Sequence, residues 1–218
     1  MLKVKIMKSF EGFQLQTEWE VKDGEMAVLF GPSGSGKSLS IRAIAGLEKP
    51  DQGYIEIDQR LVFHSHRGID VPARERNVGY VPQNYGLFPH MTIFENIMFG
   101  IKGINAKSRK SKTLDLLFRV GLEDKQNKYP RHLSGGEKQR AALLRALAFN
   151  PRALLLDEPF SAVDITVRDI LRDEIKKILK EWHIPIVLVT HDPHDLKVMA
   201  TKVIEYGNGS FPSSVCLA

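Results

Sequence analysis

Cysteine is nearly missing. Cys216 is the only one in 218 residues, so no internal disulfide can form and a reducing compartment suits the chain. Long hydrophobic runs are missing too. No stretch approaches the roughly 20 apolar residues of a membrane-spanning helix, and the lysine-interrupted start (Met1-Leu2-Lys3-Val4-Lys5) has no apolar region like that of a signal peptide. There is no internal repeat and no low-complexity tract. His64, His66, His90, His132 and His194 share no metal-ligand spacing and read as surface or packing residues. The densest basic cluster, Lys107, Arg109, Lys110 and Lys112, has no interleaved aromatics. The net charge of +5 therefore reads as dispersed and solvated, and no nucleic-acid partner is expected.

What is present is an ordinary globular composition, 43% hydrophobic and 26% charged, with enough length to bury a full core. In residues 13–21, Phe13, Leu15, Trp19 and Val21 alternate with Gln and Glu, so a strand with one buried face is predicted. Glu11-Gly12 suits a turn back from residues 2–10, and 54–58 with 61–63 reads as a second hairpin. Buried strands are predicted at 25–30, 78–81, 153–156 and 185–189. From about 86 to 150 the patterns are helical. Leu114, Leu117, Phe118 and Leu122 are spaced for one helix face, and 137–149 makes a second helix. Val167, Leu171, Ile175, Ile178 and Trp182 form an amphipathic stripe expected to face the sheet.

The most informative segment is Gly31-Pro32-Ser33-Gly34-Ser35-Gly36-Lys37-Ser38, between a predicted strand and a predicted helix. Its glycines let backbone N–H groups close on an anion. Lys37 can set its ammonium against the β- and γ-phosphates of a nucleoside triphosphate, and the Ser38 hydroxyl suits Mg²⁺. A helix N-terminus adds its dipole to this phosphate cradle. The strand at 153–156 runs into Asp157-Glu158. Adjacent carboxylates there can divide two tasks, Asp157 toward a metal and Glu158 toward an attacking water. Alone, such a run also suits any strand leaving into an acidic loop. Leu133-Ser134-Gly135-Gly136-Glu137 opens another helix with free N–H groups and a hydroxyl. It reads either as a simple Ser-capped helix or as a second phosphate surface, which would serve the nucleotide of a second copy.

Taken together these motifs resemble the nucleotide-binding subunit of an ATP-binding cassette (ABC) transporter, over about residues 2 to 207. The resemblance implies a single nucleotide-binding domain over 1–218. Its fold would be α/β: a P-loop NTPase core (1–85 and 151–218) with an N-terminal antiparallel β-subdomain and an inserted helical subdomain at about 86–150. Residues 31–38 match Walker A, with Leu39 following in the nucleotide pocket, and 154–158 match Walker B. Gln83, after Tyr80-Val81-Pro82, matches the Q-loop glutamine, with Pro82 where Phe is usual. Residues 133–137 match the signature motif, with Glu137 where Gln is usual. Ser161-Ala162-Val163-Asp164 matches the D-loop, and His191 the H-loop histidine. Phe10 sits where relatives stack an aromatic on adenine, and Phe13 is its rival.

By the same resemblance ATP and Mg²⁺ are the expected ligands. Ser38, Gln83 and Asp157 would hold the metal, Glu158 would polarise water, and Lys37 and His191 would steady the phosphates. Ser134, Gly135, Gly136 and Asp164 would complete the nucleotide site. The expected partners are a second copy of the chain, transmembrane permease subunits and, indirectly, a solute-binding protein, at the cytoplasmic face of the membrane. Residues 83–100, with Phe88, Met91, Phe94 and Phe99, either line the groove for a permease helix or form subdomain core. The run from Gly68 to Thr92 is similar to importer ATPases for molybdate, tungstate and sulfate, with sugar and polyamine importers close behind. A C-terminal regulatory β-domain, frequent in those ATPases, is not expected here.

Overall fold

The computed structural model describes every residue except 102, 162, 164, 208–212 and 217–218. The chain divides into two compact units. One comprises Met1–Tyr80, Arg152–Glu158 and Lys180–Ala218, and the other Val81–Pro151 and Pro159–Leu179.

The first unit carries both sheets, apart from the last residue of one edge strand. Its elements begin with β1 (Leu2–Phe10), β2 (Phe13–Val21), β3 (Met26–Phe30), α1 (Lys37–Ala45), β4 (Gln52–Ile57), β5 (Arg60–His64), β6 (Ile69–Asp70) and β7 (Val78–Val81). The antiparallel sheet has the order β2-β1-β4-β5-β6. Alternation in β2 holds from Leu15 on: Leu15, Thr17, Trp19 and Val21 are buried and the Gln and Glu between them are exposed, while Phe13, expected on the buried face, is half-buried.

The second sheet adds β8 (Ala153–Asp157), β9 (Ile186–Thr190), β10 (Lys202–Glu205) and β11 (Ser213–Cys216), in the order β11-β10-β3-β9-β8-β7. β10, β3, β9 and β8 run parallel. β8 and β9 are buried at every residue, which explains why they read as continuous apolar runs. The sequence pattern did not reveal β10 or β11, each only four residues long. One hydrophobic cluster joins the two sheets to α1, through Leu2, Trp19, Ile41, Ile44, Val187 and Ile204 among others.

The second unit holds α2 (Ile93–Gly100), α3 (Ala106–Arg119), α4 (Gly135–Leu147) and nearly all of α5 (Ile165–Lys180), and no strand occurs among the described residues of 86–150. Helix starts are well marked. Thr92 with Glu95 and Ser134 with Glu137 form reciprocal capping boxes, and the Asn105 side chain accepts from the Ser108 N–H. Asn96, fully buried, pins the loop before α2: its Oδ1 accepts from Phe88 N, and its Nδ2 donates to the carbonyls of Phe88, Met91 and Thr92.

The expected α3 face needs correction. Leu114 and Phe118 are exposed, by 38% and 72%, whereas Thr113, Leu116, Leu117 and Val120 are buried. The helix stops at Arg119 and turns through Gly121, so Leu122 is buried from outside it. Of the expected α5 stripe, Leu171 and Ile175 are buried, Ile178 is half-buried and Trp182 is half-buried past the end of the helix. The Val167 side chain lies outside the described residues. Leu179, not in that stripe, is buried too, and Leu171 lies beside Gly136 at the start of α4. After β9 a short α6 (Pro193–Met199) begins at the Asp192 cap.

One buried cation closes the first unit. Arg76, with its side chain 1% exposed, donates from Nη1 to the Ala43 and Ile44 carbonyls at the end of α1. It also donates from Nε to the Val71 carbonyl and from Nη2 to Asp70. Arg76→Leu leaves these acceptors unpaired and is expected to cost about 2–4 kcal/mol. Arg74→Leu, on the same turn but 83% exposed, should stay within about 0.5 kcal/mol. Urea denaturation of the two variants checks the contrast.

Candidate functional site

The carboxyl ends of parallel β3, β8 and β9 share one edge of the sheet, where an open α/β sheet offers a binding crevice. β3 ends at Phe30, the chain loops through 31–36, and α1 starts at Lys37. Lys37 is buried, and its Nζ donates to the carbonyls of Gly31 (2.8 Å) and Pro32 (2.7 Å). Burial holds its ammonium below the ordinary lysine value, while the charges of Glu158 and Asp157 act the other way.

β8 delivers Asp157 to the same place. Its Oδ1 accepts from the Ser38 hydroxyl at 2.7 Å and its Oδ2 from the Tyr80 hydroxyl at 3.3 Å. Burial pushes the Asp157 carboxyl above its usual range, and these two hydrogen bonds oppose that shift. Burial beside Asp157 pushes the Tyr80 phenol up to about 12. Ser38 and Asp157 together supply hard oxygen donors of the kind Mg²⁺ takes with phosphate oxygens and waters. Among the described residues no cluster of three His, Cys, Asp or Glu offers a rival metal site.

The next residue, Glu158, has a left-handed backbone (φ 46), and its N–H donates to the Val189 carbonyl at 3.0 Å. Its Oε1 lies 3.1 Å from Nδ1 of His191, just beyond β9. The turn carrying His191 is tied by Thr190, whose hydroxyl donates to Asp195 and accepts from the Asp192 N–H. This edge therefore joins a phosphate-shaped loop, a buried ammonium, a hydroxyl–carboxylate pair and a carboxylate–imidazole pair.

The aromatic candidates meet at the end of the β1–β2 hairpin. Phe10 and Phe13 are register partners with ring centroids 6.5 Å apart. Phe10 is 45% exposed, and Lys8 lies over its ring. Phe13 lies against Gly36 of the loop. Leu39, on α1, is half-buried.

The remaining predicted residues belong to the second unit. Gln83 is exposed, with Nε2 3.5 Å from Ser161 Oγ. At the start of α4 the Ser134 Oγ accepts from the Glu137 N–H, and Glu137 Oε2 accepts from the Ser134 N–H, with Lys125 3.5 Å from the same carboxylate. These bonds hold the Glu137 carboxyl below its usual range. Gly135 and Gly136 open the helix. Asp164 lies outside the described residues.

Sequence reasoning missed a buried tyrosine behind the loop. The Tyr206 hydroxyl donates to Ser40 Oγ (2.9 Å) and receives Trp19 Nε1 (3.1 Å), with Thr17 Oγ1 also at 3.1 Å. The Ser40 hydroxyl passes the link to the Gly36 carbonyl. No local pattern marks Tyr206, because its partners lie far back in the chain.

A family model described as "ABC transporter" matches residues 15–161. The chain is 48% identical over 193 residues to the sulfate/thiosulfate import ATP-binding protein CysA of Synechocystis, covering 87% of this chain and 52% of that protein. It is 37% identical to the molybdate/tungstate import ATP-binding protein WtpC of Archaeoglobus fulgidus, covering 95% of this chain and 84% of the relative. It thus spans about half the length of the first relative and most of the second. A solved dimeric, post-hydrolysis state of the ATP-binding cassette MJ0796 with ADP and Pi aligns at a TM-score of 0.81 and 30% identity, over 100% of this chain and 99% of that one.

Loop geometry yields a stability contrast. A Cβ on Gly31 (φ 151) would stand 2.1 Å from the Tyr206 carbonyl oxygen, whereas one on Gly34 (φ 83) meets nothing within 4 Å. Gly34→Ala carries only backbone strain, about 1–2 kcal/mol, or roughly 2–8 °C in Tm at this chain length. Gly31→Ala must also displace the Tyr206 main chain, so calorimetry should show a clearly larger fall in Tm.

Proposed function

The chain belongs to the ABC transporter family, and from that premise we propose that it is the ATP-hydrolysing subunit of an oxyanion importer. The observation that carries the enzymatic reading is the convergence of Lys37, Ser38, Asp157, Glu158 and His191 at the carboxyl ends of three parallel strands. Chemical roles follow from residue type. The amides of 31–38 and the Lys37 ammonium hold the β- and γ-phosphates. Phe10, backed by Phe13, offers its exposed ring to adenine.

Ser38 and Asp157 would hold Mg²⁺, which supplies charge neutralisation on the phosphate oxygens. Glu158 accepts a hydrogen bond from water and orients its oxygen toward the γ-phosphorus. Attack forms the new P–O bond and breaks the bond to the β–γ bridging oxygen, leaving ADP and inorganic phosphate. His191, paired with Glu158, steadies the γ-phosphate and the water.

Two copies acting together are supported by the dimeric form of the solved cassette, which holds ADP and Pi. In this reading Ser134, Gly135 and Gly136 of one copy, with Asp164, complete the nucleotide site of the other. ATP favours the closed pair because it binds that state better. The activities for which the relatives are named, import of sulfate/thiosulfate and of molybdate/tungstate, support an oxyanion such as molybdate as the cargo. No helix among the described residues is long and apolar enough to cross a membrane. Membrane-spanning permease subunits would therefore supply the path, served by a solute-binding protein. The chain would work peripherally, at the cytoplasmic face.

Glu158→Gln keeps the shape and removes the base. It should slow ATP hydrolysis by about 100-fold or more, retain nucleotide binding, and accumulate an ATP-bound dimer on size-exclusion chromatography. Undiminished turnover would overturn the role given to Glu158.

A further inference from the structure

Asp157 is gripped at both oxygens within the first unit. Ser38, on α1, donates to Oδ1 at 2.7 Å, and Tyr80, on β7, donates to Oδ2 at 3.3 Å. The Tyr80 ring packs against the buried cluster of this unit, a task phenylalanine would do equally well. Its hydroxyl has a different task, because it is directed to a carboxylate that is itself only 8% exposed.

We propose that Tyr80 is a positioning residue for the divalent cation, its hydroxyl fixing the rotation of the Asp157 carboxylate. A carboxylate with both oxygens anchored does not lose rotational freedom when it meets a cation, and it stays solvated by donors while buried. Ser38 cannot fill this role, because its own hydroxyl belongs to the donor set. Among the described residues, the hydrogen bond that the Tyr80 hydroxyl makes into the site is the one to Asp157. This inference rests on the reading of Asp157 as a Mg²⁺ ligand.

Mn²⁺ serves as the probe. Its affinity for the protein complexed with a non-hydrolysable ATP analogue is read from the EPR signal of free Mn²⁺. Tyr80→Phe should weaken that affinity by about tenfold, the lower range for partners that orient a metal ligand. Affinity for the same analogue in EDTA should not change. Tyr80→Met, which also lacks the hydroxyl, should behave alike and replaces the phenylalanine variant if that one does not fold.

Asp157→Asn is the reference. If it leaves Mn²⁺ affinity intact, the metal role of Asp157 falls, and the inference about Tyr80 falls with it. If it weakens Mn²⁺ while neither Tyr80 variant does, the Tyr80 inference alone is overturned. A loss of metal-free nucleotide affinity equal to the Mn²⁺ loss in the Tyr80 variants also overturns it, because the hydroxyl would then support packing of the loop generally.

Discussion

The phosphate loop depends on one buried phenol. Tyr206 sits fully inside the first unit, and its oxygen satisfies three neighbours at once. The single hydroxyl proton goes to Ser40, so Trp19 and Thr17 must both be donors. A phenol buried without partners would be costly, but one with three is a rigid joint. Through Ser40 it fixes the Gly36 carbonyl, and its own main chain closes against Gly31. Both ends of the loop are therefore referenced to the same residue. The antiparallel sheet, through Thr17 and Trp19, is referenced to it as well.

Around that joint, the parallel strands act as rulers. Register places Phe30 beside Thr190 and Asp157 beside Val189, so three strand ends release their polar residues at one level. Each strand is apolar until that point and polar after it. The same burial that makes β8 a core strand pushes the Asp157 carboxyl up, against the hydrogen bonds from Ser38 and Tyr80, while Glu158 and Asp157 offset the burial of Lys37. Fold and chemistry share these residues. The likeness to a solved ATP-binding cassette over the whole chain fits an architecture in which the site is a property of the sheet.

Much of this was legible in the sequence, for a physical reason. A loop that must cradle phosphate needs glycines, a lysine and a serine at fixed offsets, and strands buried on both faces must be apolar runs. Those constraints are local, so they leave local marks. Tyr206, Tyr80, Arg76 and Asn96 leave none. Each is a lone polar residue whose meaning comes from a partner on another element, such as Asp157 for Tyr80 or the end of α1 for Arg76. The face of α3 failed differently. Leu114 and Phe118 fit helical spacing as well as Leu116 and Leu117 do, and only packing within the helical unit decides which pair is covered. The four residues of β10 begin with Lys202 and end with Glu205, so its apolar run is too short to stand out.

Distance along the chain gives the tyrosine joint a temporal meaning. Ser40 and Tyr206 are separated by 166 positions, so the contact closes one of the longest loops the molecule contains. Such contacts form late, because chain closure must precede any reward from the contact. During synthesis the glycine-rich segment leaves the ribosome long before its anchor does. A nascent chain therefore holds the triphosphate-gripping motif as an unset loop and gains a finished one only after the segment carrying Tyr206 has been made.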